Sequence, residues 1–187
     1  MSRSASFLRR LAFVAALFTV VSATHAADDD FELAEALLRR GYLDLAEERF
    51  NEHIAKGGTS KAEGEYGLAL LKRWSALRDA GETNPRRRRP YGDVLAQFDE
   101  TDAVFAGFIK NNGKPPRVFE AMLERAQLLQ KKAEYQIKAI AEGWLPDDMK
   151  ESAVMSDVAK AYDTAVGLLE PVEKDVRRQR EKELEDN

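Results

Sequence analysis

The sequence predicts an all-α fold in which three antiparallel helical hairpins stack as a short solenoid, with a polar C-terminal capping helix. Every long segment repeats its apolar residues at three- and four-residue steps, and none alternates apolar and polar residues over the length of a strand. A charged fraction of 33% with abundant Ala, Leu, Glu, Lys and Arg is typical of helical chains. Glycines between the periodic segments indicate short turns, which make successive helices antiparallel.

The first hairpin is predicted from two amphipathic segments. Asp30 is expected to cap a helix over residues 31–40, which ends at Gly41 because glycine adopts the left-handed conformation without a steric penalty. The second helix is expected over residues 43–56, with glycines ending it. Neither helix can bury its apolar stripe alone, so the hairpin requires a neighbour.

The second hairpin is interrupted by an arginine-rich loop. Its first helix is expected from Ser60 to Asp79, since Ser60 and Glu63 have the spacing of a capping box. Residues 81–90 contain four arginines between two prolines, a composition that favours a flexible loop. Its second helix is expected over residues 91–111.

The third hairpin holds the longest periodic segments. Its first helix is expected over residues 117–142. The next helix starts at Asp147 or Asp148, where a carboxylate is favoured by the helix dipole, and reaches residue 170. Pro171 either kinks this helix or starts a seventh, and the charged tail from about residue 172 forms the polar end cap.

Residues 1–26 have the organisation of a cleavable signal peptide. A basic start precedes an unbroken apolar run over residues 11–21, and small residues lead to Ala26. A bilayer takes roughly 20 apolar residues, so this run is too short to span it. Cleavage after Ala26 is favoured, with Ala23 as the rival site. Arg9-Arg10 raises a twin-arginine route, but the surrounding residues favour general secretion.

Export would leave residues 27–187 as a single helical-repeat domain in the periplasm or outside the cell, with no integral membrane span. Of the 29 Lys and Arg, three belong to the signal peptide, so 26 remain against 33 Asp and Glu, a net charge of −7. This balance argues against binding to nucleic acid. The chain contains no cysteine, which excludes disulfides and a lipid anchor at this junction.

Residues that could carry catalysis are scarce. His53 is the single histidine beyond the signal peptide, and no nucleophile elbow, phosphate loop or dinucleotide-binding glycine motif is present. Residues 28–30 are acidic but lack the alternating ligand spacing of a calcium loop. The sequence therefore predicts no enzyme activity, no cofactor and no metal site. A small-ligand pocket would need polar residues of the fifth helix to converge, with candidates Lys131, Lys132, Glu134 and Tyr135.

The first hairpin resembles a tetratricopeptide repeat over about residues 31–58. The order and spacing of that family appear in Leu33-Ala34, Gly41-Tyr42-Leu43, Ala46 and Phe50. His53 and Gly58 depart from the pattern, where the family favours alanine and often has proline. Val158, Tyr162, Ala165 and Pro171 match it loosely in the third hairpin. A plain helical bundle is the alternative architecture.

This resemblance implies a non-enzymatic module that binds another protein. The face of the first helix that carries Glu35, Arg39 and Arg40 would then look toward the binding groove. The alternative is a scaffold of the cell envelope that associates with itself. Fold alone does not decide between them.

Arg86, Arg87, Arg88 and Arg89, with Tyr91 beside them, form the most unusual feature of the sequence. Guanidinium groups bind carboxylates and phosphates through paired hydrogen bonds, so one interpretation is a loop that binds anions. The anions would belong to an acidic segment of a partner protein, to an acidic envelope polymer or to lipid headgroups. A solvated loop and a protease-sensitive loop are the other interpretations. Trp74 is expected in the core, whereas Trp144 either pins its turn or contacts a partner.

Overall fold

A computed structural model describes residues 29–112 and 117–185, and the predicted signal peptide over residues 1–26 lies outside them. All regular secondary structure within these ranges is α-helical, which confirms the predicted fold class. The helices are α1 Asp29–Arg39, α2 Leu43–Lys56, α3 Gly58–Ala80, α4 Tyr91–Asn112, α5 Arg117–Ala141 and α6 Glu151–Glu185.

The helices pair as three hairpins, α1–α2, α3–α4 and α5–α6, arranged in a row. Each helix packs against its neighbours in the sequence, α1 also contacts α3, and α3 also contacts α5. Among the described residues, α6 contacts α5 alone, so α6 does not reach the first hairpin to close a bundle. The odd-numbered helices therefore lie side by side along one face of the stack.

α2 and α3 pack closely against each other at two glycines. Ala46 and Phe50 of α2 are fully buried, at the two positions that carry the repeat resemblance. The Phe50 ring lies against Gly67, and its backbone lies against Gly64, where a Cβ atom would meet Ile54 Cγ1 at 2.7 Å and Ile54 N at 2.9 Å. The two glycines let α2 and α3 approach closely, and the apolar periodicity of α3 gives no indication of this role.

The core has two parts. The larger cluster joins the first five helices and is built around buried aromatic side chains, Phe31, Phe50, Phe98, Phe105 and Phe108. Trp74 packs against it, as predicted. The smaller cluster lies between α5 and α6 and is aliphatic, with alanines that allow the two helices to cross closely.

Two predicted helix starts are wrong because glycine and side-chain packing override the capping pattern. α1 begins at Asp29 and places Asp30 in its first turn, where the Asp30 carboxylate accepts a hydrogen bond of 3.0 Å from Lys56. α3 begins at Gly58, two residues before Ser60, with no side-chain cap, and Glu63 instead faces His53 and Arg117. The predicted capping box is therefore absent.

The last helix also differs from its predicted bounds. α6 begins at Glu151, because Asp147 and Asp148 lie in a turn in which the Met149 N–H donates to the Pro146 carbonyl at 2.9 Å. It continues through Pro171 to Glu185, so no seventh helix starts there. From Glu173 to Leu184 its side chains are partly or fully exposed, as expected of a polar end cap.

His53 is buried without a hydrogen bond. Its side chain is 1% exposed, it meets the Phe31 ring edge-on at 5.9 Å, and neither ring nitrogen has a hydrogen-bond partner among the described residues. The nearest charged oxygen, on Glu63, lies 3.8 Å from His53 Nδ1. An unsatisfied buried polar group lowers stability, so the imidazole serves here as a packing group.

We therefore expect His53→Leu to raise the free energy of unfolding by about 1 kcal/mol, since it removes the unpaired nitrogens and keeps similar volume. Chemical denaturation followed by circular dichroism measures this change. His53→Asn is the matched variant, because it keeps an unpaired polar group and should destabilise the protein. An equal loss in both variants would show that the imidazole makes a favourable polar contact.

Candidate functional site

Charged side chains converge where α1, α3 and α5 lie side by side. The charged cluster is defined here as the group of six ionisable side chains and one tyrosine at this junction: Glu35, Glu63, Tyr66, Arg73, Arg117, Glu120 and Glu124. The six ionisable side chains are each between 20 and 30% exposed, whereas Tyr66 is buried. Of the residues predicted to bind a partner, Glu35 belongs to this cluster.

Arg117 organises the cluster from the start of α5. Its guanidinium lies 4.5 Å from the centre of the Phe31 ring and 5.6 Å from that of Tyr66, so it covers the aromatic core. It donates a hydrogen bond of 2.6 Å to Glu120 and lies 4.0 Å from Glu63. Stacking and ion pairing together fix the position of this arginine.

Arg73 of α3 holds the second ion pair of the cluster. Its Nε lies 2.9 Å from the Glu124 carboxylate, and the same guanidinium donates a hydrogen bond to Gln127. These contacts join α3 to α5 along the shared face. Arg73 Nε and Glu124 Oε2 are nevertheless both buried without a hydrogen-bond partner in the described part of the chain, so this ion pair lacks hydrogen-bond geometry.

Carboxylates outnumber guanidinium groups in the cluster. Four glutamates face two arginines, and Arg39, at 3.9 Å from Glu35, has a side chain that is 71% exposed. Burial raises the pKa of Glu35 and of Glu124 above the usual value of 4.5, and nearby glutamates act in the same direction. Burial, followed by Glu124, Glu120 and Glu35, also raises the pKa of the Tyr66 hydroxyl well above 10. The cluster is therefore negative and poorly hydrated.

The other two predicted groove residues lie at its margin. Arg39 is the last residue of α1 and is exposed beside Glu35. Arg40 is exposed in the following turn, and Gly41 ends the helix with a φ of 80°, as predicted. Of the two, Arg39 has a contact with the cluster, at 3.9 Å from Glu35.

The arginine loop is held by a turn around Asn84. The backbone N–H groups of Arg87 and Arg88 donate to the Asn84 carbonyl at 2.9 and 3.0 Å, and Arg86 N–H donates to the Asn84 side chain at 3.0 Å. Arg89 binds the Asp79 carboxylate at 2.9 Å. The four arginines therefore have different surroundings.

Arg88 is fixed above an aromatic group. Its guanidinium lies 4.5 Å from the centre of the Trp144 ring and 3.9 Å from the Glu142 carboxylate, and Trp144 in turn donates a hydrogen bond of 3.0 Å to Glu142. Arg86 and Arg87 are exposed and have no ion pair within the described residues. These two arginines are the members of the run that could reach a partner.

Tyr91 is buried and does not face outward beside the arginines. Its ring stacks on that of Tyr135 at 5.7 Å and meets that of Trp144 at 6.0 Å. Burial raises the pKa of Tyr91, and burial together with Tyr91 raises the pKa of Tyr135 to about 12. Of the two roles open for Trp144, the packing role fits this arrangement, because the ring anchors its turn to α4 and α5.

We expect Arg88→Ser to lower the free energy of unfolding by about 1 kcal/mol, since it removes the cation–π contact with Trp144. Thermal unfolding followed by circular dichroism and tryptophan emission measures the effect. Arg87→Ser is the matched control and should change stability by less than about 0.5 kcal/mol, as is usual at exposed positions. Equal losses in the two variants would contradict a specific role for Arg88.

The polar residues considered for a small-ligand pocket do not converge. Lys131 pairs with Glu134 on the exposed surface at 2.7 Å, Lys132 pairs with Asp99 of α4, and Tyr135 is buried. In the described part of the chain, no group of three or more His, Asp or Glu side chains could hold a metal ion.

Comparison of the chain with protein-family models, with curated proteins and with solved structures found no match. No helix within residues 29–112 and 117–185 is long and apolar enough to span a bilayer.

Proposed function

We propose that this chain is an exported, non-enzymatic protein–protein interaction module of the tetratricopeptide type, which binds a partner along the face of α1, α3 and α5. One observation carries the proposal. The odd-numbered helices contact one another in order, α1 with α3 and α3 with α5, so their outward side chains form one continuous surface. The resemblance of the first hairpin to the repeat family supports the same assignment.

The chemistry of this surface suits recognition of an extended segment. Charged side chains that are only partly hydrated form stronger hydrogen bonds with a partner. Side chains already held in place by stacking and ion pairs lose little entropy on binding. Arg117 is such a group, since the Phe31 ring and Glu120 already fix it. The surface crosses three helices, so a long segment could contact more of it than a small molecule could.

Site-specific photo-cross-linking tests this function. A photoreactive residue replaces Arg39, exposed beside the charged cluster, or Lys174, exposed on α6. In native cell-envelope extract, a defined partner is expected to cross-link from position 39 and not from position 174. The proposed binding face would be rejected if both positions gave the same product at equal yield. It would also be rejected if position 174 alone cross-linked.

A self-associating scaffold is the second candidate, and exposed apolar residues of the first hairpin favour it. Leu33, Tyr42 and Leu45 are each about half exposed. Light scattering of the purified protein tests this candidate. A stable oligomer that dissociates when Leu33 and Leu45 are replaced by glutamate would support the scaffold, and a monomer at all accessible concentrations would reject it.

A further inference from the structure

The two ends of the helical stack carry apolar surfaces that the proposed binding face does not use. We propose that copies of this chain stack end to end, with the first hairpin of one copy packed against the last hairpin of the next. Such stacking gives the self-association of the second candidate function a definite geometry. It does not depend on partner binding along the face of α1, α3 and α5.

Exposed apolar side chains are confined to the two end hairpins within residues 29–112 and 117–185. The large apolar side chains that are more than a third exposed there are Leu33, Tyr42, Leu45, Ile137, Met149, Met155 and Leu184. The first three belong to the first hairpin and the others to the last, and the middle hairpin, α3 and α4, has none. A repeat that ends a stack normally has a polar outer face, so both ends have the character of contact surfaces.

At the first hairpin, the exposed leucines point away from the rest of the stack. Phe31 of α1 and Phe50 of α2 both contact α3. At about 100° per residue, Leu33 is rotated about 160° from Phe31, and Leu45 is rotated about 140° from Phe50. Both leucines therefore lie on the free end of the stack, and Tyr42 is exposed in the turn that joins their two helices.

At the last hairpin, Ile137 and Met155 flank the junction of α5 and α6. Ala133 of α5 and Val158 of α6 are buried where the two helices meet. Ile137 is rotated about 40° from Ala133, and Met155 is rotated about 60° from Val158 in the same sense. Similar rotations on two antiparallel helices lead to the same side of the pair. The two side chains therefore line one groove between α5 and α6.

The packing within the chain indicates which element fits each end. α3 packs against both α1 and α2, and α5 packs against both α3 and α4. Among the helices described, none packs on α5 and α6 in this way, and none occupies the outer side of α1. The α1 helix of a second copy would meet α5 and α6 as α3 meets α1 and α2. A second copy is therefore the occupant that continues the stack at both ends.

Charged residues beside the two surfaces are already paired. Arg49 and Glu52, one and two turns beyond Leu45, form an ion pair of 2.8 Å. Lys131 pairs with Glu134, one turn before Ile137, at 2.7 Å. Contact between the ends would thus bring apolar groups together without leaving one of these charges unpaired. Because the two surfaces differ, their contact is head to tail, and each added copy leaves a free end at both sides.

Sedimentation velocity of the purified protein over a range of concentrations measures this association. The wild type is expected to sediment faster as its concentration rises. Leu33→Glu/Leu45→Glu blocks the first-hairpin end, and Ile137→Glu/Met155→Glu blocks the other. Each double variant alone should raise the dissociation constant at least about tenfold, where a tenfold step corresponds to 1.4 kcal/mol. The reason is that contact would bury a carboxylate without a partner.

An equimolar mixture of the two double variants separates head-to-tail stacking from symmetric association. Each variant retains one intact end, and the two intact ends are of opposite kinds. The mixture is therefore expected to form a complex of twice the monomer mass and nothing larger. The matched control, Ala96→Glu/Ala103→Glu, adds the same charge at exposed positions of α4 and should associate as the wild type does. Circular dichroism of each variant verifies its helical content.

Three outcomes would overturn the proposal. A wild type that stays monomeric at all accessible concentrations would exclude stacking. A wild type that associates while the mixed variants do not combine would show a symmetric contact. Equal loss of association in the α4 control would assign the effect to general charge repulsion. Partner cross-linking from position 39 reports on a different face, so the proposed function and end-to-end stacking can fail separately.

Discussion

Replacement of Gly64 by alanine is expected to lower the free energy of unfolding by about 3 kcal/mol, in the range for overpacked cores. The added Cβ would lie 2.7 Å from Ile54 Cγ1 and 2.9 Å from Ile54 N, and it would also meet the backbone oxygen of Phe50. Backbone atoms cannot turn aside as a side chain can, so α2 must move away from α3. The buried Phe50 ring would lose its packing in the same movement. Chemical denaturation followed by circular dichroism measures the loss.

Gly107→Ala is the matched control for this prediction. Gly107 also lies inside a helix, α4, but a Cβ there meets nothing within 4 Å. Alanine favours the helix over glycine, so this variant should gain about 0.5 to 1 kcal/mol. A gain of similar size in Gly64→Ala would show that α2 and α3 do not approach as closely as described. Gly67→Ala should resemble Gly64→Ala, because its Cβ would lie 2.5 Å from Phe50 Cγ.

Replacement of Arg117 by methionine is expected to destabilise the protein by about 3 kcal/mol at pH 7, near the lower limit for breaking a buried ion pair. The variant keeps an apolar side chain over Phe31 but removes the positive charge that faces Glu63 and Glu120. Glu35 loses one of the two cations that lower its pKa. Urea denaturation measured at several pH values tests this prediction.

The destabilisation caused by Arg117→Met should depend on pH in one definite direction. The pKa of Glu35 is already raised by burial in the folded protein, and the loss of Arg117 raises it further. Such a group contributes stability that is fully present below its unfolded pKa of about 4.5 and is lost as pH rises through its folded pKa. The destabilisation by Arg117→Met should therefore shrink on acidification from pH 7 to pH 4.

Arg39→Met is the control for the Arg117 variant. It removes the other cation near Glu35, but from an exposed position, so the loss should be below about 0.5 kcal/mol. A loss that is equal in the two variants would contradict the organising role of Arg117. A destabilisation by Arg117→Met that is independent of pH would show that lost stacking on Phe31 and Tyr66, and not exposed negative charge, is its cause.

The existence and order of the helices could be predicted from the apolar period, since each segment has one apolar face to bury and glycines follow most of them. Ala46 and Phe50 are fully buried as the repeat pattern implied, and α2 has the predicted bounds. The helix starts were harder to predict than the helices themselves, because side chains that could cap a helix also take part in packing. Glu63 is drawn toward Arg117 across the stack, which the local spacing from Ser60 could not reveal.

Only part of the candidate site could be predicted from the sequence. Glu35 was identified through the repeat resemblance. The other members of the charged cluster were not assigned to it: Glu63, Tyr66, Arg73, Arg117, Glu120 and Glu124. They lie on α3 and α5, far apart in the chain, and meet because α1, α3 and α5 lie side by side. A signal was present in the spacing of residues 117, 120, 124 and 127, which puts one polar stripe on α5.

In the arginine run, the sequence grouped residues that the structure separates. Four adjacent guanidinium groups were interpreted as one unit, whereas Arg88 and Arg89 bind Trp144 and Asp79 within the protein. A turn rotates successive side chains into different directions, so adjacency in the chain does not give a shared surface. Tyr91 was assigned by proximity for the same reason, and its ring is buried.

Within residues 29–112 and 117–185, α6 contacts α5 alone and α3 contacts four other helices. Cooperative unfolding is therefore expected to pass from hairpin to hairpin, as in a one-dimensional array. Amide hydrogens of α6 should therefore exchange with deuterium before those of α3, with the boundary at α5. A partner that spans α1 to α5 would slow exchange in those helices and leave α6 unchanged.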